Sequence, residues 1–196
     1  MKLEYRGYDS SGISGTHISS KLSTIKATGP IKNLRTKLTS LTRITTGIAH
    51  TRWATHGEAI LKNTHPHLSE NISIVHNGII ENYIELKSLL KKKGYLFKSD
   101  TDSEVISHLI HMNYKKTKNM ESSIISTTKM LNGSYAIGCI NTNYANTIFA
   151  ACKGSPLIIG KGVNENFIAS DITPILSDTK HYIPLDDNCL LYTSDA

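Results

Sequence analysis

The pattern of apolar and polar positions predicts strands, then helices, then strands again. Short β-branched runs bounded by turn residues predict the strands: 13–18, 45–51, 72–76, 135–140, 147–151, 157–160 and 167–169. Helical spacing of apolar residues predicts three helices, from Ile79 to Lys93, from near Thr101 onward, and from Met120 to Leu131. Elements grouped in this way, without βαβ alternation, indicate antiparallel sheet with helices on its outer faces, an α+β fold.

Local signals mark the ends of two helices. Gly94 follows a run of three lysines, and glycine at this position commonly ends a helix. Thr101 and Glu104 have the T-x-x-E spacing of a capping box, which predicts that a helix begins there.

The sequence predicts one domain. Its 196 residues show no internal repeat, low-complexity tract or interdomain linker. Between the strands at 45–51 and 72–76 lies an irregular, polar stretch that is too long for a simple hairpin. Loops of this length inside a compact domain usually carry function, so a site is expected here.

The net charge of +6 raises the question of a nucleic-acid partner, but its distribution argues against one. Lysines are spread along the chain, and arginine occurs only at positions 6, 35, 43 and 52. No aromatic residues alternate with basic ones to form a base-stacking surface. The charge is therefore interpreted as a solvated surface, with no nucleic acid bound.

Neither membrane insertion nor secretion is predicted. No apolar run approaches the roughly 18 residues that a membrane span needs, and no signal-peptide pattern opens the chain. Cys139, Cys152 and Cys189 are odd in number and lack CxxC spacing, which argues against disulfides and a zinc site. A soluble protein in the reducing cytoplasm is expected.

The first candidate group directly follows a predicted strand and reads His50-Thr51-Arg52-Trp53-Ala54-Thr55-His56-Gly57. Arg52 offers a planar fork of donors that can hold a carboxylate by two hydrogen bonds. Trp53 could shield that pair from water or act as a lid, and Thr55 and His56 add further donors. The alternative is a surface arginine stacked on a partly buried tryptophan.

The second group is Asn77-Gly78, between a strand and an apolar run of helical spacing. Asn-Gly commonly forms the type I′ turn of a hairpin, and these two residues alone favour that interpretation. The alternative is a strand-to-helix junction, where unpaired backbone N–H groups and the Asn77 side chain would form an oxyanion hole for acyl transfer.

The third group, Asp100-Thr101-Asp102-Ser103-Glu104, places carboxylates in a first helical turn. The helix dipole alone accounts for acidic residues there, although one such carboxylate could also hold a substrate ammonium group. The histidines at 50, 56, 65, 67 and 76 lack metal-ligand spacing, so neither a metal nor another cofactor is expected. A fourth segment, EYRGYDSSG at 4–12, is interpreted as a polar turn that enters a strand.

Taken together, these segments resemble one family. The matching strings, in chain order from Leu3 to about Asp187, are LEYRGYDSSG, GIAHTRWATHGE, HPH, VHNGIIENY, SDTDSEVISHL, GSPLIIG and NFIASD. They are similar to the glutaminase domain of the glutamine–fructose-6-phosphate aminotransferases (isomerizing), also called glucosamine-6-phosphate synthases. This domain is a class II glutamine amidotransferase of the N-terminal-nucleophile type, and the resemblance covers nearly the whole chain.

The resemblance implies a four-layer αββα sandwich of two largely antiparallel sheets, in agreement with the α+β pattern. It also implies that an N-terminal cysteine thiolate attacks the side-chain amide of glutamine, with the cysteine's own α-amino group as the base. A thioester forms as ammonia leaves, and water then releases glutamate. In the full-length enzyme, which is expected to be a homo-oligomer, a sugar-phosphate isomerase domain uses the ammonia to make glucosamine 6-phosphate.

The matching motifs also assign residues that would bind the backbone groups of glutamine. By this resemblance Arg52, Thr55 and His56 hold the α-carboxylate. Asp102, together with the carbonyl of Gly78, holds the α-ammonium group.

Other positions are assigned to the reacting end of the substrate in the same way. Asn77 and the N–H of Gly78 form the oxyanion hole. Trp53 gates the passage of ammonia, and Arg6 and Gly7 line the pocket near the nucleophile.

Both ends of the chain depart from the family pattern. The family's domain begins with the exposed cysteine, an apolar strand and a helix, whereas Met1 corresponds to a position inside the end of that helix. We therefore expect residues 1–187 to be an amidotransferase domain that lacks its first strand and nucleophile and is inactive as written. Residues 188–196 are expected to be a tail that does not match the family, and no fold prediction is made for them. A non-catalytic glutamine-binding module is the alternative function.

Overall fold

Two antiparallel sheets form the body of the molecule in the computed structural model, which describes residues 5, 7–17, 21–38, 44–54 and 57–193. The strands are β1 (Ser10–His17), β2 (Leu22–Thr28), β3 (Ile44–Arg52), β4 (His67–Ser69), β5 (Ile72–Ile80), β6 (Gly133–Asn141), β7 (Ile148–Lys153), β8 (Ile158–Lys161), β9 (Asn166–Ala169), β10 (Tyr182–Pro184) and β11 (Leu190–Thr193). The helices are α1 (Ile31–Arg35), α2 (Tyr83–Lys92), α3 (Glu104–Thr117) and α4 (Met120–Thr128), and a 3-10 turn covers Leu61–Asn63.

Strand pairing brings distant segments of the chain together. The first sheet has the order β2-β1-β3, and its register places Ser10 opposite Arg52, so the start of β1 lies beside the end of β3. The second sheet has the order β11-β7-β6-β5-β4. Because β3 packs against both β5 and β6, the two sheets face each other. A small third sheet has the order β10-β8-β9.

The main hydrophobic core lies between the five-stranded sheet and the helices. Ile72, Ile74 and Ile80 share one face of β5 and are fully buried in one cluster with Leu90 of α2 and Ile106 of α3. Burial of each such side chain contributes about 1.5–3 kcal/mol, which fixes α3 against the strand. None of the helices in the described part of the chain is long and apolar enough to cross a membrane.

Strand β5 is longer than the sequence predicts, and α2 is correspondingly shorter. Pairing with β6 continues as far as Ile80, which lies opposite Gly133, and α2 begins only at Tyr83. Asn77 and Gly78 therefore lie inside a strand, so the hairpin-turn interpretation is wrong, and the strand-to-helix junction lies just beyond them, between Ile80 and Tyr83. The physical reason is the ladder with β6, a non-local contact that offsets the local preference of Asn-Gly for a turn.

The predicted capping box does not form, although α3 does begin at Glu104. The Glu104 carboxylate accepts hydrogen bonds from the backbone N–H groups of Lys98 (2.9 Å) and Ser99 (2.7 Å). The Thr101 hydroxyl instead lies 3.1 Å from Nε2 of His67. The buried carboxylate thus holds the turn before the helix and not the helix end itself.

Several elements lie outside the sequence-based prediction. The mainly polar strand β2 and the short helix α1 were not predicted, and β10 is mostly exposed. Leu190–Thr193, for which no fold prediction was made, pair antiparallel with β7 as β11. The residues Leu-Leu-Tyr-Thr favour a strand by themselves, and β7 offers them a free edge.

Candidate functional site

A cavity of about 330 Å³ lies where the ends of β3 and β5 approach the start of α3. Its lining residues are His50, Thr51, Arg52, Trp53, His65, His76, Asn77, Gly78, Ile79, Thr101, Asp102, Ser103 and Ser134. Five of the residues singled out in the sequence therefore share one cavity: Arg52, Trp53, Asn77, Gly78 and Asp102. Arg6, Thr55 and His56 lie outside the described residues.

Arg52 ends β3 and is buried, with only 6% of its surface exposed. Its Nη1 donates to the carbonyl of Glu58 (3.1 Å) and its Nη2 to the carbonyl of Gly57 (2.9 Å). Burial lowers the pKa of the guanidinium, and the nearby carboxylates of Asp9 and Asp102 oppose that shift. Each terminal nitrogen carries two N–H groups, so a bond to the loop is compatible with a second bond to a ligand carboxylate.

Gly7 packs directly behind this arginine instead of lining the cavity. A Cβ at Gly7 would lie 2.6 Å from the carbonyl carbon of Arg52, so the position has no room for a side chain. Nearby, Oδ2 of Asp9 accepts a hydrogen bond from the Ala54 N–H (2.8 Å), and the Asp9 N–H donates to the Arg52 carbonyl (3.1 Å). Segment 7–9 thus braces the chain that carries Arg52. Asp9 was treated in the sequence only as part of a polar turn, because no local pattern marks it as a site residue.

Trp53 stands at the rim of the cavity with 58% of its surface exposed. Its ring packs at 5.5 Å, centroid to centroid, against the ring of Tyr8, which is also exposed. Because Arg52 is buried and Trp53 is exposed, the alternative of a surface arginine on a partly buried tryptophan is wrong.

Gly78 presents its backbone to the cavity. In the ladder with β6, the N–H groups of successive β5 residues point alternately toward β6 and away from it. The Glu81 N–H bonds to the Asn132 carbonyl beside β6, whereas the Ile80 N–H points the other way and bonds to Asp102. By this alternation the N–H and C=O of Gly78 lie on the same open edge as the Ile80 N–H.

The side chain of Asn77 projects from the face of β5 that is opposite to Ile74 and Ile80. It therefore points toward the three-stranded sheet. Its Oδ1 lies 2.8 Å from Nε2 of His50, which sits two residues before Arg52 on β3. Side chains two residues apart on a strand share a face, so His50 and Arg52 both reach the cavity. That spacing was visible in the sequence, where His50 opened the first candidate group but was assigned no role beyond that of a rejected metal ligand.

Asp102 is the carboxylate that faces the cavity, and Asp100 is not. Oδ2 of Asp102 accepts from the Ile80 N–H (2.8 Å), and Oδ1 accepts from the Ser103 hydroxyl (3.3 Å). Asp100 lies on the surface, where its Oδ2 is 2.8 Å from the ammonium group of Lys62. The T-D-[ST]-E frame therefore selected the aspartate that lines the cavity.

Asn63 joins the two segments that carry the opposite charges of the site. Its Nδ2 donates to the Glu58 carbonyl (3.1 Å) and to Oδ2 of Asp100 (3.4 Å), and its Oδ1 accepts from the Asp100 N–H (2.9 Å). Asn63 is fully buried and does not line the cavity. We refer to this set of bonds as the Asn63 clasp. Sequence reasoning missed it, because a single asparagine in a long loop carries no signal.

Four histidines lie in and beside the cavity wall. The rings of His50 and His65 are 4.2 Å apart, and those of His65 and His67 are 4.6 Å apart, between centroids. Nδ1 of His76 is 2.8 Å from the Ser103 hydroxyl. Burial lowers the pKa of His50 to about 4 and of His67 to about 3, and it also lowers the pKa values of His65 and His76. The four rings are therefore held in the neutral form.

No metal centre emerges from these side chains. Across the described ranges, no group of three or more His, Cys, Asp or Glu residues is arranged to hold a metal ion. A second, mainly apolar cavity of about 450 Å³ adjoins the first between the two sheets and shares four lining residues with it: His50, Thr51, His76 and Asn77. None of the three cysteines lines either cavity, and all three are free thiols.

Comparison with known proteins places this arrangement in context. Residues 50–177 match the model of a family described as glutamine amidotransferase domain. Two proteins named glutamine–fructose-6-phosphate aminotransferase [isomerizing], from Buchnera aphidicola subsp. Baizongia pistaciae and subsp. Acyrthosiphon pisum, are 47% and 48% identical over 191 and 189 residues. Each match covers 95% of this chain but only 31% of the length of the relative.

A solved structure supports the assignment of the fold. The structure described as the allosteric regulatory enzyme of purine biosynthesis has a TM-score of 0.82 and 26% identity, covering 99% of this chain and 43% of that one. This similarity confirms the α+β fold of the N-terminal-nucleophile type.

Proposed function

The chain belongs to the glutamine amidotransferase domain family, and on that premise we propose that the cavity binds L-glutamine for hydrolysis of its side-chain amide. The observation that carries the proposal is the meeting of Arg52, Asp102 and the open edge of β5 around one cavity. A free amino acid has a carboxylate, an ammonium group and a side chain, and this cavity offers a partner for each.

Charge complementarity governs how the amino acid would be held. The Arg52 guanidinium, with Thr55 and His56, binds the α-carboxylate, because a planar fork of N–H donors matches two carboxylate oxygens. Asp102 and the carbonyl of Gly78 bind the α-ammonium group. Both accept hydrogen bonds, and the carboxylate adds a charge of the opposite sign.

The oxyanion hole would act on the side-chain amide. A thiolate that attacks the amide carbon drives the carbonyl electrons onto oxygen, and Asn77 Nδ2 with the Gly78 N–H stabilises that charge. The carbonyl then re-forms as the C–N bond breaks, and the nitrogen leaves as ammonia with the proton that the base took from the thiol. Water hydrolyses the thioester to glutamate and free thiol. By resemblance to the family, we assign Trp53 to gating the release of ammonia and Arg6 to the surroundings of the thiol, whereas Gly7 is assigned to the support of Arg52.

We further propose that this domain serves an enzyme that makes glucosamine 6-phosphate from fructose 6-phosphate and glutamine. The support is the 44–48% identity to glutamine–fructose-6-phosphate aminotransferases such as those of Buchnera aphidicola and Haemophilus influenzae. A sugar-phosphate isomerase domain and homo-oligomer formation belong to this proposal, as does the assignment of residues 1–187 to the amidotransferase domain, which Leu190–Thr193 extend as strand β11. A cytoplasmic location fits the three free thiols.

A second candidate function is glutamine binding without hydrolysis. It is favoured by one observation, that Cys139, Cys152 and Cys189 lie away from the cavity. Burial raises the pKa values of Cys139 and Cys152, which keeps both as unreactive thiols. The purified 196-residue chain is therefore expected to bind glutamine and not to hydrolyse it. Ammonia release at the rate of an ordinary glutaminase would contradict this expectation.

Calorimetric titration of the chain with L-glutamine tests the binding proposal. Asp102→Asn keeps the shape of the side chain and its acceptor for the Ile80 N–H but removes the charge. We expect binding to weaken about 10- to 100-fold, the usual range for a hydrogen bond to a charged group. Asp186→Asn is the matched control and should leave the affinity unchanged, because Asp186 is exposed and does not line the cavity. Equal effects of the two variants, or no glutamine binding by the unsubstituted chain, would contradict the proposal.

A further inference from the structure

The side chain of Asn77 has two chemically opposite ends, and only one of them suits an oxyanion hole. An amide presents an acceptor at oxygen and two donors at nitrogen. The cavity needs the donor end, because an oxygen in that place would repel the substrate carbonyl oxygen and the charge that develops on it. A neighbour must therefore fix the direction of the amide.

His50 is the neighbour in contact with that amide, through Nε2 at 2.8 Å from Asn77 Oδ1. We propose that His50 is a positioning residue whose Nε2–H donates to Oδ1 of Asn77 and thereby turns Nδ2 toward the reacting carbonyl. The inference rests on the proposed function of the cavity and adds to it the residue that orients the oxyanion hole.

The tautomer of His50 decides between the two directions of the amide. The ring is neutral near pH 7, since burial lowers its pKa to about 4, so it carries one N–H. Nδ1 of His50 is buried, and no described group meets hydrogen-bond geometry with it, while the Asn77 side chain and the nearby His76 backbone both oppose the lowering of the ring's pKa. A proton on Nδ1 would leave a buried donor unsatisfied, whereas a proton on Nε2 satisfies both the ring and Asn77 Oδ1. The environment thus favours the Nε2–H form.

Packing holds the ring in the plane that this bond needs. The ring of His65 contacts that of His50 edge to face, with 4.2 Å between centroids and 66° between planes. His65 is buried, and both of its nitrogens lack partners among the described residues, so it acts on His50 by contact alone. In the Nε2–H form the basic nitrogen is Nδ1, and because Nδ1 is buried, His50 does not offer a base to the substrate.

A comparison of two ligands separates orientation from general damage to the cavity. L-norvaline has the α-carboxylate and α-ammonium groups of L-glutamine but no side-chain amide. The variants are His50→Phe, which keeps a ring without N–H, and His50→Gln, which keeps an N–H donor near the position of Nε2. Both ligands are titrated by calorimetry into the unsubstituted chain and into each variant.

The expected result is a selective loss. His50→Phe should weaken the binding of glutamine about tenfold, as expected for one misdirected hydrogen bond. The same variant should change the affinity for norvaline by less than about twofold. His50→Gln should recover glutamine affinity to within about threefold of the unsubstituted chain. Equal losses for the two ligands in both variants would overturn the inference, because they would show a merely structural role.

Nitrogen NMR of the unsubstituted chain keeps the inference testable if a variant does not fold. The shifts and couplings of the His50 ring should show the Nε2–H tautomer at pH 7, bonded to Asn77. An Nδ1–H tautomer in a chain that binds glutamine would overturn this inference and leave the proposed function standing. A chain that fails to bind glutamine would overturn the proposed function, and this inference with it.

Discussion

Mild acid should destabilise this domain strongly, because histidines beside the site are held neutral. Burial lowers the pKa of His67 from 6.5 to about 3 and that of His50 from 6.5 to about 4. In the unfolded chain both rings take up a proton as the pH falls through about 6.5. A pKa that is lower in the folded state gives stability that is present above the unfolded pKa and is lost as the pH falls toward the folded pKa.

The size of the loss follows from these values. Between pH 7 and pH 5 each neutral ring costs about 2 kcal/mol of unfolding free energy, since only the unfolded state binds the proton. His50 and His67 together account for about 4 kcal/mol, against a typical total of about 5–15 kcal/mol. The pKa of His65 is also lowered, which adds to the loss. Glu104, with its pKa lowered from 4.5 to about 2, titrates below this window.

Urea unfolding at pH 7, 6 and 5, followed by far-ultraviolet circular dichroism at constant ionic strength, measures this loss. His67→Gln should reduce the loss by about 2 kcal/mol, because one titrating ring is gone. His181→Gln is the control, since His181 is exposed and remote from the site. An unfolding free energy that stays constant within about 1 kcal/mol from pH 7 to pH 5 would refute the reasoning.

Three further predictions test other parts of the structure. Gly78→Ala should destabilise the domain by about 1–3 kcal/mol in urea unfolding and should weaken glutamine binding. The reason is that φ of Gly78 is +131° and a Cβ there would lie 2.1 Å from the Ser134 carbonyl oxygen, so unchanged stability would contradict this prediction. Glu104→Gln should cost about 2–4 kcal/mol, since the buried carboxylate holds two backbone N–H groups, whereas the exposed Glu85→Gln control should change little. With an aromatic disulfide reagent at pH 8, the half-buried Cys189 should react rapidly and the two buried cysteines slowly; three equally fast thiols would disprove the assignment.

Residues of the cavity could be predicted from the sequence where their role follows from their own side chain and their sequence neighbours. Arg52 offers a carboxylate-binding fork whatever surrounds it, and the frame around Asp102 separated it from Asp100. Periodicity likewise predicted the cores of β5 and α3, because buried aliphatic positions repeat with the period of each element. These features depend on residues close together in the sequence.

The features that were not predicted depend on distant partners. The Asn77-Gly78 pair lies in a strand because β6, which begins at Gly133, pairs with it. The carboxylate of Glu104 turns back to the backbone N–H groups of Lys98 and Ser99 because the helix packs there. The hydroxyl of Thr101 is hydrogen-bonded to His67 and cannot cap the helix. Each of these outcomes results from long-range pairing that overrides a local preference, which is the regime in which single-sequence patterns fail.

The Asn63 clasp has a consequence for how the selectivity of this cavity can change. A buried amide that touches no ligand sets how far the loop that anchors Arg52 stands from the segment that carries Asp102. Substitutions around Asn63 could therefore shift the separation of the two charged walls while every ligand-contacting residue stayed the same. A relative with identical contact residues could then prefer a longer or shorter amino acid, and the origin of that preference would lie one layer behind the binding surface.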